Sequence, residues 1–233
     1  MYSAQNSNTF LAYFNQIDKY LSYILWIKKY VPYHERVTII ATGKTSITRF
    51  VKSFEDKLRY FGDLRNQLVH GFRLENKHYL VVSDHALHEI QTIHDHLTAP
   101  KTIADQTRKE YITANNTDTI QAVMEKMTEH SLSYIPVYAD ERLLWVLSFQ
   151  DMMYRLISHT TIQPSINTLV EVDVTHYSEY DTIWPSTSVY EVQDIFEQQP
   201  ATQVLLISAD GSPDTPITGM ISITDLPSLL QHL

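Results

Sequence analysis

Two pairs of short segments decide the fold: Ser133–Val137 (SYIPV) with Ser148–Asp151 (SFQD), and Gln203–Ile207 (QVLLI) with Ser222–Asp225 (SITD). In each pair an apolar run with β-branched residues is followed by a Ser-x-x-Asp tail. Such runs favour strands, and a serine with an acidic residue three positions later is typical of a helix start. The same local pattern therefore occurs twice in the chain.

The spacing between the two patterns indicates an internal duplication. Met127 and Phe196 lie 69 positions apart, as do Pro136 and Leu205, whereas the two Ser-x-x-Asp tails lie 74 positions apart. The five extra residues fall within Ala209–Thr218, where an Asp-Gly pair and two prolines predict a turn. Insertions are tolerated best in such loops, so we interpret the two segments as copies of one repeat.

Strand-like and helix-like segments alternate after Pro100, which predicts an α/β or α+β domain. The predicted strands are Ser133–Tyr138, Leu143–Phe149, Gln203–Ser208 and Ile217–Ile223. The predicted helices are Thr119–His130, Gln150–Ser158, Val189–Gln198 and Leu226–Leu233.

Before Pro100 the apolar residues recur at helical spacing. This periodicity predicts helices over residues 9–29, 45–60, 61–70 and 84–97, with Ser83 or Asp84 capping the last one and a short extended piece between 72 and 82. The predicted fold class is therefore α+β, with an all-α bundle in residues 1–98 and a mixed domain in residues 99–233.

The repeat resembles the CBS motif, in which an apolar-Pro-Val strand and a hairpin lead to Gly-x-x-(Thr/Ser)-x-x-Asp and a helix. Copy one matches from Ile112 to Asp151 and departs at Trp145, where the family often has glycine; copy two matches from Ile183 to Asp225 and has Leu205 where proline is usual. The resemblance implies a tandem CBS pair, or Bateman module, with copy one at about residues 99–158 and copy two at about 166–233. It implies two β-α-β-β-α units related by a pseudo-two-fold axis, with clefts between them that bind an adenine nucleotide.

The resemblance also implies roles for particular residues. Asp151 or Asp225 would accept hydrogen bonds from the ribose hydroxyls, and Ser148 or Ser222 would donate to a phosphate held at the helix start. The other residues implied in the clefts are Ile135, Pro136, Val204 and Leu205 as an apolar slot for adenine, and Arg155 as a balance for phosphate charge. Because Trp145 is bulky, the Ser222/Asp225 cleft is the favoured one. Alternatively, each Ser-x-x-Asp tail is a capping box with no ligand.

The helical half carries a second short signature. Arg65 and His70, in the segment Arg65–His70 (RNQLVH), resemble the Arg-x4-His motif of HEPN domains, whose nuclease members cut RNA without metal. In such a site the histidine acts as a general base and the arginine steadies phosphate charge. Residues five apart on a helix project about 140° apart, so a productive site would need a partner chain or a helix irregularity. The alternative is a structural role, with His70 stabilised at a helix C-terminus.

Three functions are consistent with these signals. The first is a regulatory sensor that binds AMP, ADP, ATP, S-adenosylmethionine or cyclic di-AMP and signals through the helical domain or a dimer. The second is a HEPN-type ribonuclease gated by the nucleotide, which makes RNA a possible partner and leaves the assignment as an enzyme open. The third is a structural scaffold with empty clefts.

The amino-acid composition narrows the choice among these functions and their partners. The chain has no cysteine, which excludes disulfides, thiolate metal sites and a cysteine nucleophile and fits a cytoplasmic location. It has no secretory leader and no run of about 18 apolar residues, so we expect no membrane partner. Residues 99–233 carry 6 Lys/Arg and 18 Asp/Glu, a charge of −12, which disfavours nucleic acid there; residues 1–98 carry 12 and 9, a charge of +3. We interpret His85, His88, His94 and His96 as a solvated helix face and expect no metal.

Aromatic residues on several faces of the first helix predict self-association. Tyr13, Tyr20, Tyr23 and Trp26 lie partly outside its apolar stripe, and exposed apolar surface commonly marks an interface. CBS pairs and HEPN-like bundles also commonly dimerise, as the two resemblances imply. We therefore expect a homodimer with the helical domain in the contact.

Overall fold

The computed structural model describes residues 4–26, 29–71, 73–74, 77–78, 80–105, 112–158, 163, 168 and 179–231. The chain divides into two compact units, Met1–Lys101 and Thr102–Leu233. The first is helical and the second combines helices with sheets, which confirms the predicted α+β class.

Five helices and a short hairpin form the described part of the first unit. They are α1 (Ala4–Leu25), α2 (Tyr33–Ala41), α3 (Ser46–Ser53), α4 (Glu55–His70), β1 (Arg73–Leu74), β2 (Lys77–His78) and α5 (Asp84–Thr98). The core follows the stripe predicted for the first helix, with Phe10, Ile17 and Leu21 of α1 packed against Phe61 and Ile90.

Helix boundaries in this unit differ from the prediction in three places. The first helix, predicted over 9–29, is α1 over Ala4–Leu25, and Trp26 directly after it has a left-handed backbone (φ 46°). The segment predicted as one helix over 45–60 breaks at Phe54, whose backbone (φ −113°, ψ 14°) leaves the α region, and α4 then continues through the helix predicted over 61–70. The helix α2 is not predicted, because Pro32 indicates the end of the preceding helix as readily as the start of the next. Proline suits a helix start, where its missing N–H has no intrahelical role. The predicted cap of α5 is confirmed, since the Ser83 hydroxyl accepts from the Ala86 N–H.

A buried arginine joins α1 to α2. Arg36 is 7% exposed, and its guanidinium donates to Asp18 Oδ1 at 2.7 Å, to the carbonyls of Asp18 at 2.9 Å and Val31 at 2.8 Å, and to the Ser22 hydroxyl. A charge taken out of water is tolerated only when it is paired and hydrogen-bonded. This network therefore sets the angle at which the chain enters α2 after α1.

The second unit contains the same β-α-β-β-α order twice. Copy one is β3 (Ala114–Asn115), α6 (Ile120–Glu129), β4 (Tyr134–Ala139), β5 (Arg142–Ser148) and α7 (Phe149–Ser158). Copy two is β6 (Glu179–Ile183), α8 (Val189–Gln198), β7 (Thr202–Ser208), β8 (Ile217–Ser222) and α9 (Leu226–Leu230), with a 3₁₀ turn at Ile223–Asp225. In both copies the first strand runs parallel to the central strand, which pairs antiparallel with the third.

The strand pairings within the two copies correct one detail of how the copies align in sequence. Tyr134 pairs with Ser148, and Val204 pairs with Ser222, so the central strands are related by 70 positions rather than 69. Pro136 therefore corresponds to Leu206 and not to Leu205. A slip of one residue would turn every side chain of the strand to the opposite face of the sheet. The helices α6 and α8 start 69 positions apart, so the additional residue lies between α8 and β7.

The segment that precedes each copy pairs with the other copy. Thr102 forms an antiparallel bridge with Ser188, and Thr168 forms one with Thr119. Ser188 and Thr119 are the N-cap residues of α8 and α6, so each bridge joins the lead of one copy to the helix start of the other. Ile103 extends the first exchange by packing in the core of copy two. The two copies therefore form one interlocked structure.

We expect Arg36→Met to lower the free energy of unfolding by about 2–3 kcal/mol, because it removes the charge-assisted bond to the Asp18 carboxylate and takes the Arg36 donor from the Val31 carbonyl. Urea unfolding followed by circular dichroism measures the change. The control is Arg49→Met: Arg49 is exposed although it bonds the Lys44 carbonyl, so its loss should cost under about 0.5 kcal/mol. Equal losses in the two variants would show that the Arg36 network is not a stabilising element.

Candidate functional site

The faces of the two sheets meet in a small apolar core. Val146 of copy one packs there with Val204 and Leu206 of copy two, and all three are fully buried. At the edge of this core, the Tyr134 hydroxyl donates to Gln203 Oε1 at 3.2 Å across the two copies. The strand ends that carry the Ser-x-x-Asp tails therefore lie beside the contact between the copies, since Tyr134 pairs with Ser148.

The tail of copy one closes on itself at the start of α7. The Ser148 hydroxyl donates to Asp151 Oδ2 at 2.6 Å, and the Asp151 N–H donates back to the serine oxygen at 3.0 Å. The Ser148 N–H also points to the same carboxylate oxygen at 3.4 Å. This reciprocal bonding is the capping box that the alternative interpretation of the motif predicts.

Copy two repeats this arrangement before α9. The Ser222 hydroxyl and N–H both donate to Asp225 Oδ2, at 2.7 and 2.9 Å, and the hydroxyl also contacts the Thr224 hydroxyl at 2.7 Å. Both serines are buried and both aspartates are half-buried. The duplicated motif thus places a carboxylate in the same local geometry at the end of the last strand of each copy.

The two boxes constrain what their residues can offer a ligand. A carboxylate has about four acceptor positions, and the box uses those on one oxygen, so it is chemically able to accept further donors such as a ribose diol. A serine hydroxyl has a single proton, and here it is donated to the aspartate. Ser148 or Ser222 would therefore have to rotate its hydroxyl before donating to a phosphate.

The predicted adenine slot is filled by protein side chains. Ile135 packs in the core of copy one and Leu205 in the core of copy two, against their own helices. Val204 lies in the contact between the sheets, and Pro136 is buried opposite Val146. Because these side chains are packed, a ligand near the strands would meet backbone and the half-buried Tyr134 and Gln203 instead.

Two further predictions concern bulky residues of copy one. Trp145 packs against the core of this copy, on the sheet face opposite the one where Val146 meets copy two. The alternation of side chains along β5 explains this difference. This packing does not support the idea that its bulk obstructs the first cleft, and the preference for the Ser222/Asp225 cleft stays a prediction. Arg155 lies in α7, but its side chain is outside the described residues.

Sequence reasoning missed Tyr134. Burial, with a smaller contribution from the charge of Asp151, raises the pKa of the Tyr134 phenol, which keeps it a neutral donor. The residue could have been found from the repeat, because it directly precedes the apolar-Pro-Val run and faces the matching segment of copy two. Through Gln203, its side chain connects the Asp151 tail with the other copy.

A polar cleft of about 1520 Å³ opens at the hairpin ends of the two copies. Its walls include Lys126, Tyr138 and Arg142 of copy one and Tyr180 and Asp214 of copy two. The serines and aspartates of the two tails do not line this cleft; they are Ser148, Asp151, Ser222 and Asp225. The predicted site and this polar cleft are therefore different places on this unit.

The geometry of α4 keeps the two residues of the Arg-x4-His signature apart. Arg65 and His70 lie on the uninterrupted helix α4, so the helix supplies no irregularity that would bring them together. The Arg65 guanidinium donates to Asn66 Oδ1 at 3.1 Å, and His70 is exposed in the last turn. The described part of one chain thus assembles no Arg–His pair.

Within the described ranges, no group of three or more His, Asp or Glu side chains is placed to hold a metal ion. No helix among these residues is long and apolar enough to span a bilayer.

Residues 103–158 match the family model of the CBS domain. No curated protein matches the chain. Among solved structures, it is similar to the CBS domain pair of protein MJ0100 in complex with 5′-methylthioadenosine and S-adenosyl-L-methionine (15% identity, 57% of this chain and 98% of that one, TM-score 0.45). It is also similar to a hemolysin-like protein containing a CBS domain from Oenococcus oeni PSU (13%, 56% and 90%, 0.43) and to a functionally unknown conserved domain from Neisseria meningitidis MC58 (15%, 75% and 99%, 0.44). The family match spans the elements β3 to α7, which make up the first copy of the repeat.

Proposed function

We propose that residues 102–233 form a regulatory module that binds an adenine nucleotide between the two copies. The observation that carries this proposal is the duplicated Ser–Asp box, which sets a half-buried carboxylate at the end of the last strand of each copy. A capping function alone requires no such repetition at equivalent positions beside the contact between the sheets. In this proposal Asp151 and Asp225 accept the ribose hydroxyls.

The ligand acts by regulation rather than by chemistry on the nucleotide. A nucleotide held by one tail lies close to Tyr134 and Gln203, which link the copies. Its binding would favour one packing of the two sheets over another, and a ligand shifts an equilibrium only by its differential affinity for the two states. Nucleotide binding would then change either the conformation of the helical unit or the oligomeric state of the protein.

Charge narrows the class of adenine ligand. Residues 102–233 contain 5 Lys/Arg and 18 Asp/Glu, a net charge of −13. A triphosphate would have to overcome this field with few cations, whereas an adenosine compound without phosphates does not. We therefore propose that ligands such as S-adenosylmethionine bind more tightly than ATP.

A thermal-shift panel tests binding and this order together. Ligand at 100 times its dissociation constant should stabilise the fold by about 2.7 kcal/mol. The panel contains AMP, ADP, ATP, cyclic di-AMP, S-adenosylmethionine and 5′-methylthioadenosine, with guanosine as a control for the base. If no compound shifts the transition and calorimetry detects no heat, the clefts are empty and the scaffold function is favoured.

Substitution of the two aspartates separates ligand binding from helix capping. We expect Asp151→Asn and Asp225→Asn each to weaken binding at its own cleft by about 10-fold or more, since a lost hydrogen bond to a charged group costs about 1.5–3 kcal/mol. Titration calorimetry with the best ligand of the panel measures the loss.

The chain offers a matched control at the start of α8. Ser188 and Glu191 form a capping box with the same reciprocal bonds, at 2.8 and 3.2 Å, but outside the tails. Glu191→Gln should therefore disturb a cap and leave the affinity unchanged. Equal affinities in all three variants would mean that the aspartates serve only as caps.

We propose that the protein is a homodimer, with its CBS half in the contact. Tyr13 and Tyr20 pack against the core of the helical unit, so two of the four aromatic residues that suggested a contact there are already covered. In copy one, Tyr154 and Ile157 of α7 are 72% and 78% exposed. Light scattering should give twice the chain mass for the wild type, and Ile157→Glu should give a monomer that keeps its helical circular dichroism. A wild-type monomer at micromolar concentration contradicts this assembly.

The ribonuclease alternative rests on Arg65 and His70 and needs a second chain to complete the site. Its test is cleavage of a single-stranded RNA substrate by the purified protein in the presence of a chelator. Loss of cleavage in His70→Ala would establish that function, and an inactive wild type would leave the helical unit an interaction module.

A further inference from the structure

Three exposed aromatic side chains occur at the C-terminal end of α1 and in the residues that follow it. Tyr23, Trp26 and Tyr30 are 68%, 79% and 83% exposed, and the rings of Tyr23 and Trp26 meet edge to face with centroids 6.1 Å apart. Large aromatic groups are costly to leave in water, and when several occur together they commonly mark a binding site. We refer to these three residues as the aromatic platform.

Helix geometry places the aromatic platform away from the core. Lys19 and Tyr23 are four residues apart and therefore share one face of α1. The buried positions Ile17 and Leu21 precede them by two residues, or about 200° around the axis. Tyr23 thus lies on the face that is normally polar in an amphipathic helix, and the ring of Trp26, just beyond the helix end, packs against it.

The charged residues of the segment that carries the aromatic platform are all basic. Residues 19–30 contain three lysines and no Asp or Glu. Lys19 and Lys29 are exposed, and the nearest acidic residue before this segment, Asp18, is already paired with Arg36. Flat aromatic rings beside exposed positive charge match a ligand that has flat rings and negative charge.

We propose that the aromatic platform and its flanking lysines bind single-stranded nucleic acid. The bases would stack on Trp26 and the two tyrosines, and the lysines would contact the phosphates. Proteins that bind single strands without sequence preference combine these two contacts, stacking on aromatic rings and a positively charged track for the backbone. This activity is separate from the nucleotide binding proposed for the second unit.

The neighbouring side chains favour this ligand over a lipid surface or a protein. Ile24 and Leu25 are partly buried and pack against the core, so, among the residues of this segment that the structure describes, rings rather than long aliphatic side chains are exposed. Lysine is depleted at protein–protein interfaces, whereas it is a usual partner of phosphate backbones.

Fluorescence anisotropy on the full chain tests the proposal with two labelled probes, oligo(dT) and oligo(rU), at low salt. We expect Trp26→Ala and Tyr23→Ala each to weaken binding about 10-fold, within the range found when a stacked aromatic is removed. Trp26→Tyr should retain most of the affinity because a ring remains. With two to three lysine contacts, log K should fall against log salt with a slope of about −1.5 to −2.

The matched control is Tyr60→Ala, since Tyr60 of α4 is 60% exposed but lies outside the platform. Circular dichroism checks that each variant is folded. The proposal is overturned if the wild type binds neither probe at about 100 μM, the weak limit of non-specific binding, or if Trp26→Ala and Tyr60→Ala bind equally. Cosedimentation with anionic vesicles, or self-association lost in Trp26→Ala, without binding of either probe also overturns it and assigns the platform to a membrane or a second copy.

Discussion

The contact between the two sheets is the constraint on which the second unit depends. Val146, Val204 and Leu206 are fully buried in it, and each such aliphatic side chain contributes about 1.5–3 kcal/mol when removed from water. The central strand β7 is therefore covered on both faces, by its own helices on one side and by copy one on the other. Each Ser-x-x-Asp box begins opposite a strand residue at this contact, Ser148 opposite Tyr134 and Ser222 opposite Val204.

Much of this architecture could be predicted because repetition and periodicity report it directly. The helix Val189–Gln198 has the predicted bounds, and the other predicted elements of the repeat differ by one to three residues at their ends. The first strand of each copy, β3 and β6, was not among the predicted strands. The one-residue register error has a physical cause. In the all-apolar run Val204–Ile207 every side chain is buried, so no polar residue marks which face of the strand is which. The register of this strand is known only from the residues with which it pairs on the neighbouring strand.

The candidate site was less predictable, since one motif serves two purposes. Ser-x-x-Asp is the pattern both of a capping box and of a ribose and phosphate contact, and the sequence contains no feature that separates them. The same ambiguity affected Trp145, whose direction follows from the alternation along β5 and not from its size. Tyr134 was missed because its importance arises from a partner 69 positions away, which is visible only when the two copies are set against each other.

The two proposed ligands place opposite demands on charge, and the chain separates those demands between its units. A nucleic acid strand is a polyanion, so its binding requires a surface with few carboxylates, as in residues 19–30. A small adenosine ligand is recognised by local hydrogen bonds and can bind in a strongly acidic domain, provided that it carries little negative charge itself. The acidic charge of residues 102–233 therefore selects among small ligands by the negative charge that they carry.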